Sequence, residues 1–220
     1  MNFQVRAVLF DLDGTLADTA PDLGGAVNRM RARRGLAPMP IEQLRPVASA
    51  GARGMLGAAF AMSPEMHGYE PLRDEFLAEY AAALDRDTVL FDGVADCLAA
   101  LQQRGLRWGV VTNKATRFTG PVLAGLGLAA EVVVCGDTTP HAKPHPAPLL
   151  EACNRLGVSA AETVYVGDDL RDMQAARAAG MPAVAAGYGY LGESPDLESW
   201  GADAVIASPI ALIDLLRPLR

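Results

Sequence analysis

The chain has 220 residues, a formal net charge of −7, 50% hydrophobic residues and 20% charged ones. These values describe a globular protein with room for one large domain or a domain plus an insertion, and they exclude a disordered chain. No basic stripe offsets the negative charge, which excludes nucleic acid as a partner; phosphate could be handled only where lysine or a metal concentrates positive charge locally.

The first residues, Met1-Asn-Phe-Gln-Val-Arg6, lack the basic start and apolar core of a signal peptide. The apolar run Ala7–Phe10 is too short to cross a bilayer. Cys97, Cys135 and Cys153 are scattered and odd in number, as expected for reduced core thiols rather than a disulfide or zinc framework. The expectation is a cytoplasmic protein without a membrane partner, as a monomer or homodimer.

Residues Val5–Phe10 form a short apolar run that stops at a polar Asp-Leu-Asp-Gly turn, the pattern of a buried strand. Residues 19–84 then contain no good strand. Thr19-Ala-Pro-Asp22 has the form of a capping box with proline in the first turn, and Leu23, Val27 and Met30 mark a helix face. The arginines in 31–34 fit a helix end, where they offset its dipole. Leu72, Phe76, Leu77, Tyr80 and Leu84 mark another helix.

Strand-like runs return at Trp108–Val111, Val132–Val134, Val164–Val166, Ala183–Ala185 and Ala204–Ala207, with helical spacings between them. Val94, Cys97, Leu98 and Leu101 lie on one helix face before Gly105; Leu149, Cys153 and Leu156 do so before Gly157. Alternating strands and helices predict an α/β fold: a doubly wound, Rossmann-like parallel sheet covered on both faces. The segment after the first strand is too long for a loop in a compact domain. The expected organisation is a core of residues 1–17 and 86–220 with an inserted α-helical cap over residues 18–85.

Asp11-Leu-Asp13-Gly-Thr15 places two carboxylates just past an apolar strand, at the end where parallel sheets bind ligands. Taken alone, an ordinary Asp-Gly turn explains it equally well. A second acidic group, Gly167-Asp168-Asp169-Leu-Arg-Asp172, follows another apolar strand. If the two strands are neighbours, Asp11, Asp13 and Asp168 converge, and such a cluster needs a proton or a cation. Mg2+ meets that need, because it prefers oxygen ligands and leaves room for phosphate and water. Asp169 is expected to cap the following helix, and Asp172, one turn beyond Asp168, to support the site from behind. Thr112 and Asn113 end another strand with a hydroxyl and an amide suited to phosphate oxygens, and Lys143, set between prolines, can offset the charge.

In order, Asp11-Leu-Asp-Gly-Thr-Leu, Thr112-Asn113, Lys143-Pro and Gly167-Asp168-Asp169-x-x-Asp172 resemble the four motifs of the haloacid dehalogenase superfamily, and the resemblance spans essentially the whole chain. Within the superfamily the chain is similar to the phosphoglycolate phosphatase group. Ser49-Ala-Gly-Ala-Arg53-Gly-Met, Trp108-Gly-Val-Val-Thr-Asn-Lys114 and Tyr188-Gly-Tyr190 with Trp200-Gly-Ala-Asp203 look closer still to bacterial N-acetylmuramic acid 6-phosphate phosphatases.

The resemblance implies a magnesium-dependent phosphatase acting on a small-molecule phosphate ester through an aspartyl-phosphate. Asp11 would be nucleophile and metal ligand. Asp13 would be the acid and base, reaching the metal through its backbone carbonyl. Asp168 would complete the protein ligands, and Thr112, Asn113 and Lys143 would hold the phosphoryl group.

The cap loop 49–53 is the candidate substrate reader. Gly51 and Arg53 are its chosen residues, since a guanidinium can grip a carboxylate bidentately; a helix-start arginine facing solvent fits Arg53 equally well. His67, His141 and His145 suit magnesium poorly and are expected to be merely polar. The stretch 187–192 lacks dinucleotide spacing and reads as a loop beside the site. A sugar phosphomutase of similar build would keep both aspartates, and a phosphate-binding protein without catalysis could keep the fold.

Overall fold

The structure is a computed structural model that describes residues 2–84, 86–192 and 196–219. From the N-terminus, β1 (Phe3–Val5) and β2 (Ala7–Phe10) precede a two-residue strand, β3 (Ala17–Asp18). Four helices follow: α1 (Ala20–Arg33), α2 (Ile41–Leu44), α3 (Gly51–Phe60) and α4 (Tyr69–Ala81). β4 (Val89–Leu90) then returns antiparallel to β3. The rest alternates: α5 (Val94–Gln103), β5 (Arg107–Val111), α6 (Thr116–Gly125), β6 (Val132–Val134), α7 (Ala147–Leu156), β7 (Thr163–Gly167), α8 (Leu170–Ala178) and β8 (Ala183–Ala186). It closes with β9 (Ala204–Ile206), α9 (Leu212–Leu215) and β10 (Leu216–Pro218).

Six strands form a parallel sheet in the order β6-β5-β2-β7-β8-β9. β2 is central because nothing in Ala7–Phe10 needs water. Ala7 and Leu9 face one layer of helices, and Val8 and Phe10 the other. Strand order reverses at β2, the kind of switch point where such sheets bind ligands. Phe10 pairs with Val110 on one side and Val166 on the other. Asp11, Thr112 and Asp168 therefore leave the same edge of the sheet.

Two local expectations need correction. The run Val5–Phe10 is not one strand. It breaks at Arg6, whose N–H donates to Glu162 and whose carbonyl accepts from Arg107, and β1 pairs with β10 instead. Thr19 precedes α1 without making the expected capping box. The Tyr190 hydroxyl accepts from the N–H groups of Thr19 and Ala20, at 2.7 and 2.9 Å, and so occupies the cap. The Thr19 hydroxyl is freed to donate to Asp13, at 2.5 Å. Asp22 turns instead toward Thr88, accepting from its N–H and its hydroxyl.

The helices between β3 and β4 sit over the carboxyl edge of the sheet. α1 and α4 pack through Leu23, Val27, Met30, Phe76 and Tyr80, all buried. The basic end of α1 serves this packing as well as its own dipole: Arg29 and Arg33 bond Glu79, and Arg33 and Arg34 bond Glu75. No described helix is long and apolar enough to cross a membrane. The three cysteines are buried and free.

Candidate active site

Asp11 sits one residue beyond β2, 8% exposed, with its carboxylate accepting from the Leu12 N–H at 2.8 Å. Asp168 follows β7 and is fully buried. It accepts from the Thr15 hydroxyl at 2.8 Å, the Tyr190 N–H at 2.9 Å and the Ser49 hydroxyl at 3.3 Å. Asp172, in the first turn of α8, is also buried. Asp169 caps that helix by accepting from the Arg171 N–H, in a capping box with Asp172. One oxygen from each of Asp11, Asp168 and Asp172 falls within 4.8 Å of the others.

Lys143 is the counter-charge. Its ammonium lies 2.8 Å from Asp172 and 3.0 Å from Asp11, and donates to the Val111 carbonyl and the Tyr165 hydroxyl. Burial alone would discharge this lysine, but Asp11 and Asp172 outweigh it and hold its pKa above the usual value. Burial also pushes the Asp11 carboxyl up to about 7; Lys143 opposes this, while Asp172 and Asp13 add to it. Burial, followed by repulsion from Asp11 and Asp172, pushes Asp168 well above the carboxylate range.

One buried ammonium cannot neutralise three buried carboxylates. The donor set, all oxygen, clustered and short of positive charge, fits a hard divalent cation such as magnesium. Asp11, Asp168 and Asp172 offer it side-chain oxygens. The Asp13 carboxylate is not part of this trio; its Oδ1 accepts from Thr19 at 2.5 Å and from Lys114 at 2.8 Å. Asp172, expected behind the ligands, lies within the same 4.8 Å as the other two.

Tight backbone packing keeps the carboxylates together. Gly14 adopts φ +84°, and a Cβ there would lie 2.0 Å from an Asp168 oxygen. Gly189 brings loop 187–192 against Asp168, as expected for a loop beside the site; a Cβ there would lie 2.3 Å from the Asp168 Cβ.

A cavity of about 270 Å3 opens between the sheet edge and the helices above it. Asp11, Asp13, Thr112, Asn113, Lys143 and Asp172 line its polar end. Thr112 faces the cavity and accepts from the Lys114 N–H at 3.2 Å. The Asn113 amide is taken up by the Lys143 main chain. Gly51 lies on the rim, with φ 57° and ψ −139°, a backbone that favours glycine.

Of the two readings open for Arg53, the structure shows the arginine facing solvent. It is exposed and not part of the cavity wall, because α3 buries Gly54, Met55, Leu56 and Ala59 and turns Arg53 outward. The arginine in the wall with no ion pair among the described residues is Arg117, whose guanidinium carbon lies 4.5 Å from the Phe118 ring centroid.

No place in the site follows from the sequence for Lys114, Tyr80, Tyr165 or Arg117. A tyrosine inside an otherwise Val-rich strand marks Tyr165. Lys114 is marked by its place just past the tip of β5 and by the Trp108–Lys114 motif. Tyr80 reads as part of a helix face and Arg117 carries no local signal, because the insertion and the sheet edge meet only in three dimensions.

This combination of switch-point sheet, acidic trio and buried lysine defines a hydrolase-type site on a doubly wound core. A family model for haloacid dehalogenase-like hydrolases matches residues 5–180, and the chain belongs to that family. It is 45% identical over 218 residues to the N-acetylmuramic acid 6-phosphate phosphatase of Pseudomonas aeruginosa, covering 97% of this chain and 95% of that one. It is 50% identical over 206 residues to a phosphoglycolate phosphatase of Xanthomonas campestris pv. campestris, covering 93% of each. Among solved structures, a predicted phosphoglycolate phosphatase from Haemophilus somnus superposes with a TM-score of 0.81 at 26% identity, covering 96% of this chain and 97% of that one.

Proposed function

We propose that this chain hydrolyses a small phosphomonoester, with Asp11 as nucleophile and magnesium as cofactor. The observation that carries this reading is the gathering of Asp11, Asp168 and Asp172 at the sheet's switch point, with the Lys143 ammonium on Asp11 and Asp172. Asp11 attacks phosphorus while Lys143 and Thr112 hold the transferring group. Asp13, on the cavity side of Lys114, gives its proton to the departing alcohol and later takes one from the water that cleaves the aspartyl-phosphate. Magnesium would be held by Asp11, Asp168 and the Asp13 carbonyl, with Asp172 supporting them beside Lys143, and would neutralise charge on phosphate and carboxylates. Residues 18–85 act as a cap over a core of residues 1–17 and 86–220; they exclude water and shape the leaving-group end of the cavity.

N-Acetylmuramic acid 6-phosphate is the preferred substrate over 2-phosphoglycolate. Leu23, Phe76, Leu77 and Phe118 form apolar walls that glycolate has no surface to cover. An acylated sugar acid offers such surface together with a carboxylate for Arg117. The test is phosphate release from N-acetylmuramic acid 6-phosphate, 2-phosphoglycolate and glucose 6-phosphate, with and without magnesium. The expected order of kcat/KM places the sugar acid first. Faster turnover of phosphoglycolate would reject the substrate. Little net phosphate, with transfer between sugar positions stimulated by a bisphosphate, would identify a mutase.

A further inference from the structure

Tyr80 projects from α4 into the wall of the cavity and is only 2% exposed. Its ring stacks on Phe76, with centroids 6.4 Å apart, and tilts against Phe118 at 5.4 Å. Those contacts satisfy the ring, but the hydroxyl proton has no acceptor among the described residues, the Lys114 ammonium being the hydroxyl's polar neighbour. A buried hydroxyl whose proton goes unused is uncommon enough to need a reason. The nearest charged group, the Lys114 ammonium, lies 4.7 Å from the ring centroid. An ammonium only donates, so it cannot accept the tyrosine proton.

Position indicates what does accept it. Lys114 also holds Asp13 Oδ1 at 2.8 Å, so Tyr80 stands on the Asp13 side of the cavity. Lys143 and Asp172 pair with one another, and Lys143 with Asp11, where the phosphoryl group would be held. We propose that Tyr80 is a leaving-group binding residue, whose hydroxyl donates to an oxygen on the alcohol half of the ester. The inference rests on the phosphatase reading and on Asp13 meeting the ester oxygen. It restricts the substrate class to phosphate esters whose alcohol carries a second oxygen acceptor, a carboxylate, ether or hydroxyl, a few bonds from the phosphate. The aromatic cluster of Phe76, Tyr80 and Phe118 fixes the hydroxyl in place before the substrate arrives, which limits the entropy lost on binding.

The experiment compares wild type with Tyr80→Phe on N-acetylmuramic acid 6-phosphate, 2-phosphoglycolate and p-nitrophenyl phosphate, whose further oxygens lie across the ring. For whichever of the first two the wild type turns over better, KM rises about 2- to 10-fold, the value of one neutral hydrogen bond. The rise on p-nitrophenyl phosphate is smaller, and the substrate-free variant melts close to wild type, since the tyrosine proton had no acceptor to lose. Equal changes in KM on all substrates, no change on any, or a lowered Tm would overturn the assignment. Wild-type protein that releases no phosphate from any of the three would instead sink the phosphatase reading beneath it.

Discussion

The Asn113 side chain and the Lys143 main chain hold one another by two hydrogen bonds, each 2.9 Å: the amide donates to the lysine carbonyl and accepts from its N–H. The tip of β5 thereby fixes the loop that carries the ammonium against Asp11 and Asp172.

Asn113→Ala removes both bonds at once and leaves two partly buried main-chain groups unpaired, at a cost of about 1–3 kcal/mol. The expected outcome is a folded protein whose kcat falls about 10-fold or more through misplacement of Lys143. Steady-state kinetics beside a urea titration checks it. Wild-type kcat in a variant of lowered stability would mean the bonds hold the loop but not the lysine.

The acidic trio makes metal and proton compete. Burial raises the folded Asp11 carboxyl from 3.8 to about 7, so between those values the folded state holds more protons than the unfolded one. Stability of the metal-free protein is therefore lost as pH rises through that window. Magnesium replaces the missing charge, so its stabilising effect grows in the same direction. Thermal melts with and without magnesium should show a larger gain in Tm at pH 8 than at pH 5.5. An equal gain at both would place the metal elsewhere.

Gly189→Ala tests how closely the loop must approach the site. The added Cβ would lie 2.4 Å from the Gly14 carbonyl oxygen as well as 2.3 Å from the Asp168 Cβ, so backbone must move. About 1–3 kcal/mol of stability should be lost, together with magnesium affinity. A melt and a magnesium titration of turnover measure the two effects.

Arg117→Ala should raise KM for a carboxylate-bearing ester about 10-fold, as expected for losing a charge-assisted bond at a partly solvated site. Arg53→Ala should change it less than about 2-fold, as is usual for an exposed residue outside the cavity. The reverse ranking would show that α3 rearranges on binding.

Much of this site was legible because its chemistry lies next to strands. Apolar runs such as Ala7–Phe10 and Val164–Val166 announce a parallel sheet, and acidic groups just past them announce its ligand edge. What was hidden depends on meetings across the chain. Thr19 fits a cap by its type and spacing, but Tyr190, 171 residues later, takes that role and leaves the hydroxyl to Asp13. The split of the first strand at Arg6 follows from partners at 107 and 162. Arg53 has the chemistry to grip a carboxylate, but which way a helix residue turns depends on the face the helix buries.

The central claim is that Asp11 attacks phosphorus. Its most direct test is magnesium-dependent phosphate release by Asp11→Asn, a change that keeps the side chain's size while removing the nucleophilic charge. A variant that melts as a folded protein and turns over at least about a thousand-fold more slowly is the predicted result. A folded variant releasing phosphate within about tenfold of the wild-type rate would contradict the account.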